Sequence, residues 1–243
     1  MSLLHRILDK ISLKRAYYDY KAKQPTEHLM HSLDHDELAK LLKYKEETGH
    51  PQYKKYFNAS YWIRQNARRA LSLKLNKSRP LSILDIGSGF GYFPYVAKFY
   101  GHDVIGIDLP GDVLFNKASE FLNIDRRDYT IEAFTPMPIY DKKFDFVTAF
   151  QICFNGHIEN ELWGEKQWDF FLSDLFKNHM NENGRVYFEM NWSPAIQGWL
   201  PDDVTRLFKQ KYKANFDGPA RVMLRAPDAL SMPAFTVDNK MVA

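Results

Sequence analysis

Between Leu81 and Asp108 the chain spells an apolar run, a glycine-rich turn, a helical stretch and a second apolar run. Few folds accommodate that succession. Leu81-Ser82-Ile83-Leu84-Asp85-Ile86 reads as a strand, and Gly87-Ser88-Gly89-Phe90-Gly91 follows it directly. Phe93 to Tyr100 has helical character and closes at Gly101, and Val104 to Asp108 is a second strand. Glycines at alternate positions permit a tight turn, a close approach of backbone to ligand and close packing of the next helix. The first turn of that helix presents backbone N–H groups without intrahelical partners. A glycine-rich run alone is a weak signal; its place between a strand and a helix is what gives it weight.

The alternation continues downstream, as in a parallel sheet covered by helices. Val113 to Leu122 reads as a helix, Tyr129-Thr130-Ile131 as a weak third strand and Phe144 to Phe150 as a clear fourth. Trp168 to Met180 reads as a helix broken at Gly184, Arg185 to Met190 as a fifth strand and Asp202 to Tyr212 as a last helix. Lys213 to Phe216 and Arg221 to Arg225 are spaced to close a hairpin across Asp217-Gly218-Pro219. Residues 1–79 contain a single glycine, Gly49, and read as helical. Leu4, Leu8 and Ile11 form one stripe, and Asp34 to Tyr44 and Tyr53 to Leu75 are further helical stretches. The expected organisation is an N-terminal helical extension over 1–79, an α/β core over 80–227 and a tail over 228–243.

Composition narrows the function classes. A formal net charge of +3 over 243 residues is too small to imply a nucleic-acid partner. Arg64, Arg68, Arg69, Lys74, Lys77 and Arg79 form a basic strip with no acid among them, either a solvated helix face or an attractor for an anionic substrate. With one cysteine, Cys153, neither a disulfide framework nor a cysteine-rich metal site forms within the chain. Arg6, Asp9 and Lys10 interrupt the apolar stretch that a signal peptide needs, and no run approaches a membrane span, so a cytoplasmic protein is expected.

The turn also discriminates among ligands. A dinucleotide fingerprint spaces its glycines G-x-G-x-x-G, whereas this one is D-x-G-x-G-x-G with Asp85 leading it. A carboxylate there repels a pyrophosphate and favours a cationic ligand, such as a sulfonium carrying an α-amino group. Asp108 ends the second strand, where a carboxylate can accept both hydroxyls of a ribose.

Leu84-Asp85-Ile86-Gly87-Ser88-Gly89-Phe90-Gly91, with Gly106-Ile107-Asp108 after it, resembles the class I (Rossmann-like) S-adenosylmethionine-dependent methyltransferases. Lys143-Phe144-Asp145-Phe146-Val147 and Asn183-Gly184-Arg185-Val186 resemble that family's fourth strand and its turn into the fifth. The resemblance covers residues 80–192 well. It implies an α/β fold with a doubly wound, seven-stranded, mostly parallel sheet ending in an antiparallel hairpin. It also implies S-adenosylmethionine as cofactor, held at its methionine part by Asp85, Gly87, Ser88, Gly89 and Gly91 and at its ribose by Asp108 with Leu109. Near the adenine the family carries an acidic or polar residue. Aligned on Pro138 and Phe144 that position is Ala133, flanked by the candidates Glu132 and Phe134, and Gln151 is a further candidate contact. N-terminal additions in the family often form a substrate lid. An aromatic set here (Tyr17, Tyr18, Tyr20, Tyr53, Tyr56, Phe57, Tyr61, Trp62) is expected to cover the cofactor cleft.

The motifs leave the acceptor open. Gln151 to His157 contains neither the Asn/Asp-Pro-Pro-aromatic tetrapeptide of amino-group methylation nor the Pro-Cys pair of pyrimidine C5 methylation. Cys153 is then a small packing residue. His157, just past the fourth strand, is the candidate catalytic base because imidazole titrates near neutrality. Glu159, Glu161 and Glu165 follow it without a defensible metal spacing, and no metal is expected. These readings converge on a methyltransferase for a small molecule or glycan, acting at oxygen. The alternatives are a tRNA or rRNA methyltransferase, a non-catalytic cofactor-binding regulatory module and, more distantly, an NAD enzyme. Oligomeric state is open.

Overall fold

A computed structural model describes residues 13–48, 51–154 and 162–228. After helical residues 13–21 come α1 (Lys23–His31), α2 (His35–Thr48), a 3-10 segment (Pro51–Phe57) and α3 (Ala59–Ser72). Then follow β1 (Ser82–Ile86), α4 (Tyr92–Phe99), β2 (Asp103–Asp108), α5 (Val113–Phe121), β3 (Asp125–Asp128) and β4 (Phe144–Phe150). The chain continues through α6 (Glu165–Asp174), a π-helical turn (Leu175–His179), β5 (Met180–Glu189), α7 (Asp202–Gln210), β6 (Asn215–Phe216) and β7 (Arg221–Arg225). The strands form one seven-stranded sheet of order β3-β2-β1-β4-β5-β7-β6.

Two compact units are distinguishable, residues 1–130 with 146–150, and residues 131–145 with 151–243. In the first, β1 pairs in parallel with β2 and with β4, and β2 in parallel with β3. β1, β2 and β4 bury residues along nearly their whole lengths, as parallel strands covered on both faces must. β3 does the opposite. Its sequence Asp125-Arg126-Arg127-Asp128 leaves three of four residues exposed, because an edge strand needs only one ladder and tolerates charge. The third strand therefore lies at Asp125–Asp128 and not at the apolar Tyr129-Thr130-Ile131, where residue-level hydrophobicity had pointed.

The N-terminal helices join this unit, with α1 and α4 both packing against α3, and α2 against α5. Tyr53 to Leu75 is not one helix. Asn58 interrupts it, its side chain accepting from the Tyr61 N–H at 3.1 Å as the N-cap of α3. A buried histidine ties this segment to the sheet. His102 Nδ1 accepts from the Leu81 N–H at 3.2 Å, so Nε2 carries the proton and donates to the Leu75 carbonyl at 3.1 Å. Burial pushes its pKa down, favouring the neutral ring.

In the second unit β7 pairs antiparallel with both β5 and β6, and Gly218 turns the expected hairpin at φ +79°. The fifth strand starts at Met180, so Gly184 lies inside it and does not mark its beginning. Trp168 of α6 anchors the core here, with Phe154, Phe188 and Phe208 rings 4.5, 5.5 and 5.3 Å away. The buried Tyr212 hydroxyl meets Ser173 Oγ at 2.9 Å and donates to Asp169 Oδ1 at 2.6 Å. The stripe at Leu4, Leu8 and Ile11 and most of the tail lie outside the described residues.

One close contact sets how far the glycine turn can rise from the sheet. A Cβ added at Gly106 of β2 would stand 2.8 Å from both Cβ and Oγ of Ser88. Gly106→Ala should destabilise the protein by about 1–3 kcal/mol through forced displacement of the turn. Chemical denaturation at constant pH reads it, and an unchanged midpoint would mean that the turn is not packed on Gly106.

Candidate functional site

The turn after β1 is sewn to the end of β2. The Gly87 and Ser88 N–H groups donate to the Ile107 carbonyl at 2.8 and 3.1 Å, and the Gly91 N–H to the Ser88 carbonyl at 2.9 Å. Gly87, Gly89 and Gly91 adopt φ of +70°, +54° and +94°, a region that side chains with a Cβ rarely enter. At Gly89 an added Cβ would meet nothing within 4 Å. Its glycine answers to backbone conformation, and space opens on its outer side.

Asp108 faces this turn from the end of β2. Its Oδ1 accepts from the Leu109 N–H at 2.8 Å and its Oδ2 from the Gly89 N–H. A carboxylate has about four acceptor directions. Two donors thus fix the group while each oxygen keeps one direction for a further hydroxyl. Leu109 follows, 43% exposed.

Asp85 is the second carboxylate, and its environment differs. It is buried in β1, and Thr148 Oγ donates to its Oδ1 at 2.7 Å. The register explains the pairing, for Asp85 lies between Gly106 on β2 and Thr148 on β4. Burial raises its pKa to about 7, while the Thr148 hydrogen bond and the Arg69 charge pull it down and the Asp108 charge adds to the rise. Arg69 reaches this neighbourhood from α3. Its guanidinium donates to Asn66 Oδ1 at 3.1 Å and lies over the Phe150 ring, 4.5 Å from the centroid. Phe150 and Thr148 are two residues apart on β4 and so point to the same face. Sequence points to Arg69 only as one member of the basic strip and does not point to Thr148. Thr148, a polar residue in an apolar strand, becomes meaningful only once the register sets it beside Asp85.

The basic strip divides. Arg68 pairs with Asp19 at 3.1 Å and Arg64 donates to the Asp19 carbonyl at 3.4 Å, so both tie α3 to the preceding helical residues. The aromatic set divides as well. Tyr56 stacks near Phe90 of the glycine turn and Phe57 meets the same ring edge-on, with centroids at 6.3 and 5.5 Å. Tyr53 donates to Asp112 Oδ2 at 2.7 Å and packs on Phe115. Tyr17, Tyr20 and Tyr61 are exposed by more than half.

Glu132, Phe134 and Gln151 belong to the second unit. The Glu132 carbonyl accepts from the Thr135 N–H in a turn in which Phe134 adopts φ +60° and meets Phe170 edge-on. Gln151, at φ +57°, donates its N–H to the Glu189 carbonyl at 2.7 Å and accepts from Asn191 Nδ2 at 2.9 Å. Cys153 is half-buried, 3.5 Å from Asn191 Nδ2. His157, Glu159 and Glu161 lie outside the described residues. Among the described residues no group of three or more His, Cys, Asp or Glu side chains is placed to hold a metal ion, and no helix is long and apolar enough to cross a membrane.

No protein-family model and no curated protein matches the chain. Solved structures similar to it include the PH0226 protein from Pyrococcus horikoshii OT3, at 16% identity over 76% of this chain and 98% of that one, with a TM-score of 0.49. Another is a TehB-like SAM-dependent methyltransferase from Corynebacterium glutamicum, at 18% identity over 73% and 100%, with a TM-score of 0.46. A ribosomal protein L11 methylase from Lactobacillus delbrueckii subsp. bulgaricus aligns at 19% identity over 66% and 77%, with a TM-score of 0.42. The chain's own strand order, the parallel pairing of β1 with β2 and β4 and of β2 with β3, and its antiparallel β7 give it a doubly wound α/β, Rossmann-like fold.

Proposed function

We propose that the chain is a methyltransferase that binds S-adenosylmethionine at the Asp85–Gly91 turn and Asp108. The observation that carries this reading is the Asp108 carboxylate, oriented by the Gly89 and Leu109 N–H groups with acceptor capacity left over for a vicinal diol. The donor set fits the cofactor in other respects. Asp85 offers a negative charge to an α-ammonium, and the open side of Gly89 leaves backbone free to be approached. Leu109 completes the proposed contact set within the first unit, and Glu132, Phe134 and Gln151 of the second unit are proposed cofactor contacts on the sequence resemblance alone. A pyrophosphate would meet Asp85 as a like charge, which disfavours a dinucleotide.

When bound, the cofactor supplies an electrophilic methyl group on a sulfonium. The chain's part is alignment, worth several kcal/mol in a displacement of this kind, together with removal of the acceptor's proton. A small molecule or glycan hydroxyl is the proposed acceptor, supported by the absence of an amino-group methylation tetrapeptide in Gln151–His157 and by the modest net charge. His157 is the proposed base.

Isothermal titration should give binding of S-adenosylmethionine and S-adenosylhomocysteine and none of NAD; preferential NAD binding would remove the reading. Asp108→Ala should weaken cofactor binding by about 1–3 kcal/mol, the usual cost of deleting a hydrogen-bonding partner of a polar ligand group.

Asp85 makes the pH dependence specific. A cationic ligand selects the ionised carboxylate, so affinity should rise as pH increases through about 7, with proton uptake by the buffer. In Asp85→Asn that rise should flatten. Stability runs the other way. Below the unfolded carboxyl's pKa both states hold the proton. Between there and about 7 only the folded state does, so wild-type stability falls as pH rises across that window. The thermal stability of Asp85→Asn relative to wild type should therefore grow from pH 5 to pH 8. A constant difference would show that Asp85 is already ionised at pH 5.

A further inference from the structure

We propose that Arg126 is the positioning residue of the Asp108–Leu109 segment, and hence of the ribose contact. The inference rests on the reading of Asp108 given above. Arg126 stands on β3 opposite Gly106, and Asp128 stands opposite Asp108. Residues 126 and 128 share a face of the strand, so the long Arg126 side chain runs along that face toward the end of β2 where Asp108 lies. It is 3% exposed. Its Nη1 donates to the carboxylate of Asp128 and to Asn116 Oδ1 on α5, and its Nη2 donates to the Leu109 carbonyl at 2.8 Å. One planar group thus joins β3, α5 and the loop leaving β2.

The segment it holds carries the proposed ribose contact. The peptide between Asp108 and Leu109 is fixed at both ends, its carbonyl accepting from the Tyr129 N–H at 2.8 Å and its N–H donating to Asp108 Oδ1. Arg126 fixes the next peptide through the Leu109 carbonyl. With both planes held, φ and ψ of Leu109 are restrained, and with them the stretch of backbone from which the Asp108 carboxylate projects toward the glycine turn. Without Arg126 the second plane is released into a loop that already turns through Gly111 at φ +85°.

Packing alone does not call for arginine here. A buried guanidinium is costly to desolvate, and an apolar side chain of similar size often serves stability as well or better. Arg126 Nε is buried without a hydrogen-bond partner among the described residues, and the one carboxylate paired with the group, Asp128, is 44% exposed. What an apolar residue or a lysine lacks is the rigid fork that reaches three acceptors at once.

The test compares wild type, Arg126→Met and Asn116→Ala by titration with S-adenosylhomocysteine, its 2′-deoxy analogue and 5′-deoxy-5′-methylthioadenosine. In wild type the 2′-deoxy analogue should bind more weakly by about tenfold or more, the cost of one lost charged hydrogen bond. In Arg126→Met that preference should collapse toward one. The preference for S-adenosylhomocysteine over methylthioadenosine, which reads the amino-acid end near Asp85, should persist, and the melting temperature should stay close to wild type. Asn116→Ala removes one acceptor of the fork and should lower the ribose preference partially, which keeps the test available if Arg126→Met folds poorly. An unchanged ribose preference in both variants overturns the proposal. So does a parallel loss of both preferences with a lower melting temperature, because a general structural role would produce it. If wild type binds none of the three ligands, the S-adenosylmethionine reading fails first; if it binds them without any ribose preference, the Asp108 assignment fails.

Discussion

A carboxylate in the interior of a parallel sheet needs a partner on one side and room on the other. Asp85 has both because of the strand register, which sets Thr148 on β4 and Gly106 on β2 at its two sides. Thr148 supplies the hydroxyl that compensates part of the lost hydration. Gly106 supplies the space, and Ser88 occupies it, so the turn after β1 lies down on β2. Once the turn lies there, the Gly87 and Ser88 N–H groups reach the Ile107 carbonyl, and the Gly89 N–H reaches Asp108. Slipping either pairing by one residue would turn Thr148 or Gly106 to a new neighbour and undo the turn with it.

The N-terminal segment is held to the same unit by directional contacts as well as by apolar packing. His102 bridges Leu75 and Leu81 as a neutral ring, and Tyr53 binds Asp112, the residue that also caps α5 by accepting from the Phe115 N–H. Tyr56 and Phe57 then meet Phe90, which the glycine turn itself contributes. The turn is thus packed from both sides, by β2 below and by the Pro51–Phe57 segment against Phe90. Tyr17, Tyr20 and Tyr61 of the same N-terminal aromatic set face solvent.

What sequence made legible was the part of the fold in which local pattern and tertiary role agree. β1, β2 and β4 are apolar because both faces are covered, and the glycine turn needs positive φ at Gly87, Gly89 and Gly91. Legibility failed where a neighbour decides. Asp125-Arg126-Arg127-Asp128 is a strand because β2 offers it a ladder, and nothing in its side chains announces that. Asn58 stops the run from Tyr53 to Leu75 through a capping hydrogen bond that an apolar periodicity does not register. Thr148 and Arg126 acquire meaning through register and proximity, so a linear reading passes over both, and it sees Arg69 only as one charge in a basic strip. His157 was readable as a candidate only by its place after the fourth strand, and the described residues add nothing to it.

The two carboxylates near the turn illustrate why residue type alone is a poor guide to role. Asp108 takes two backbone N–H donors at the end of a strand, an arrangement that presents ordered acceptors. Asp85 takes one hydroxyl in a buried row, so burial raises its pKa to about 7 and its charge depends on what approaches it. A neutral diol gains from the first kind of group, which is oriented before the ligand arrives. A cation draws the second into its charged form, at a cost in affinity below about pH 7 that burial imposes and that Arg69 nearby limits. Under the proposed function, recognition of a ligand bearing both a ribose and an ammonium would divide between a preset acceptor and a responsive one, built from the same amino acid near the ends of adjacent strands.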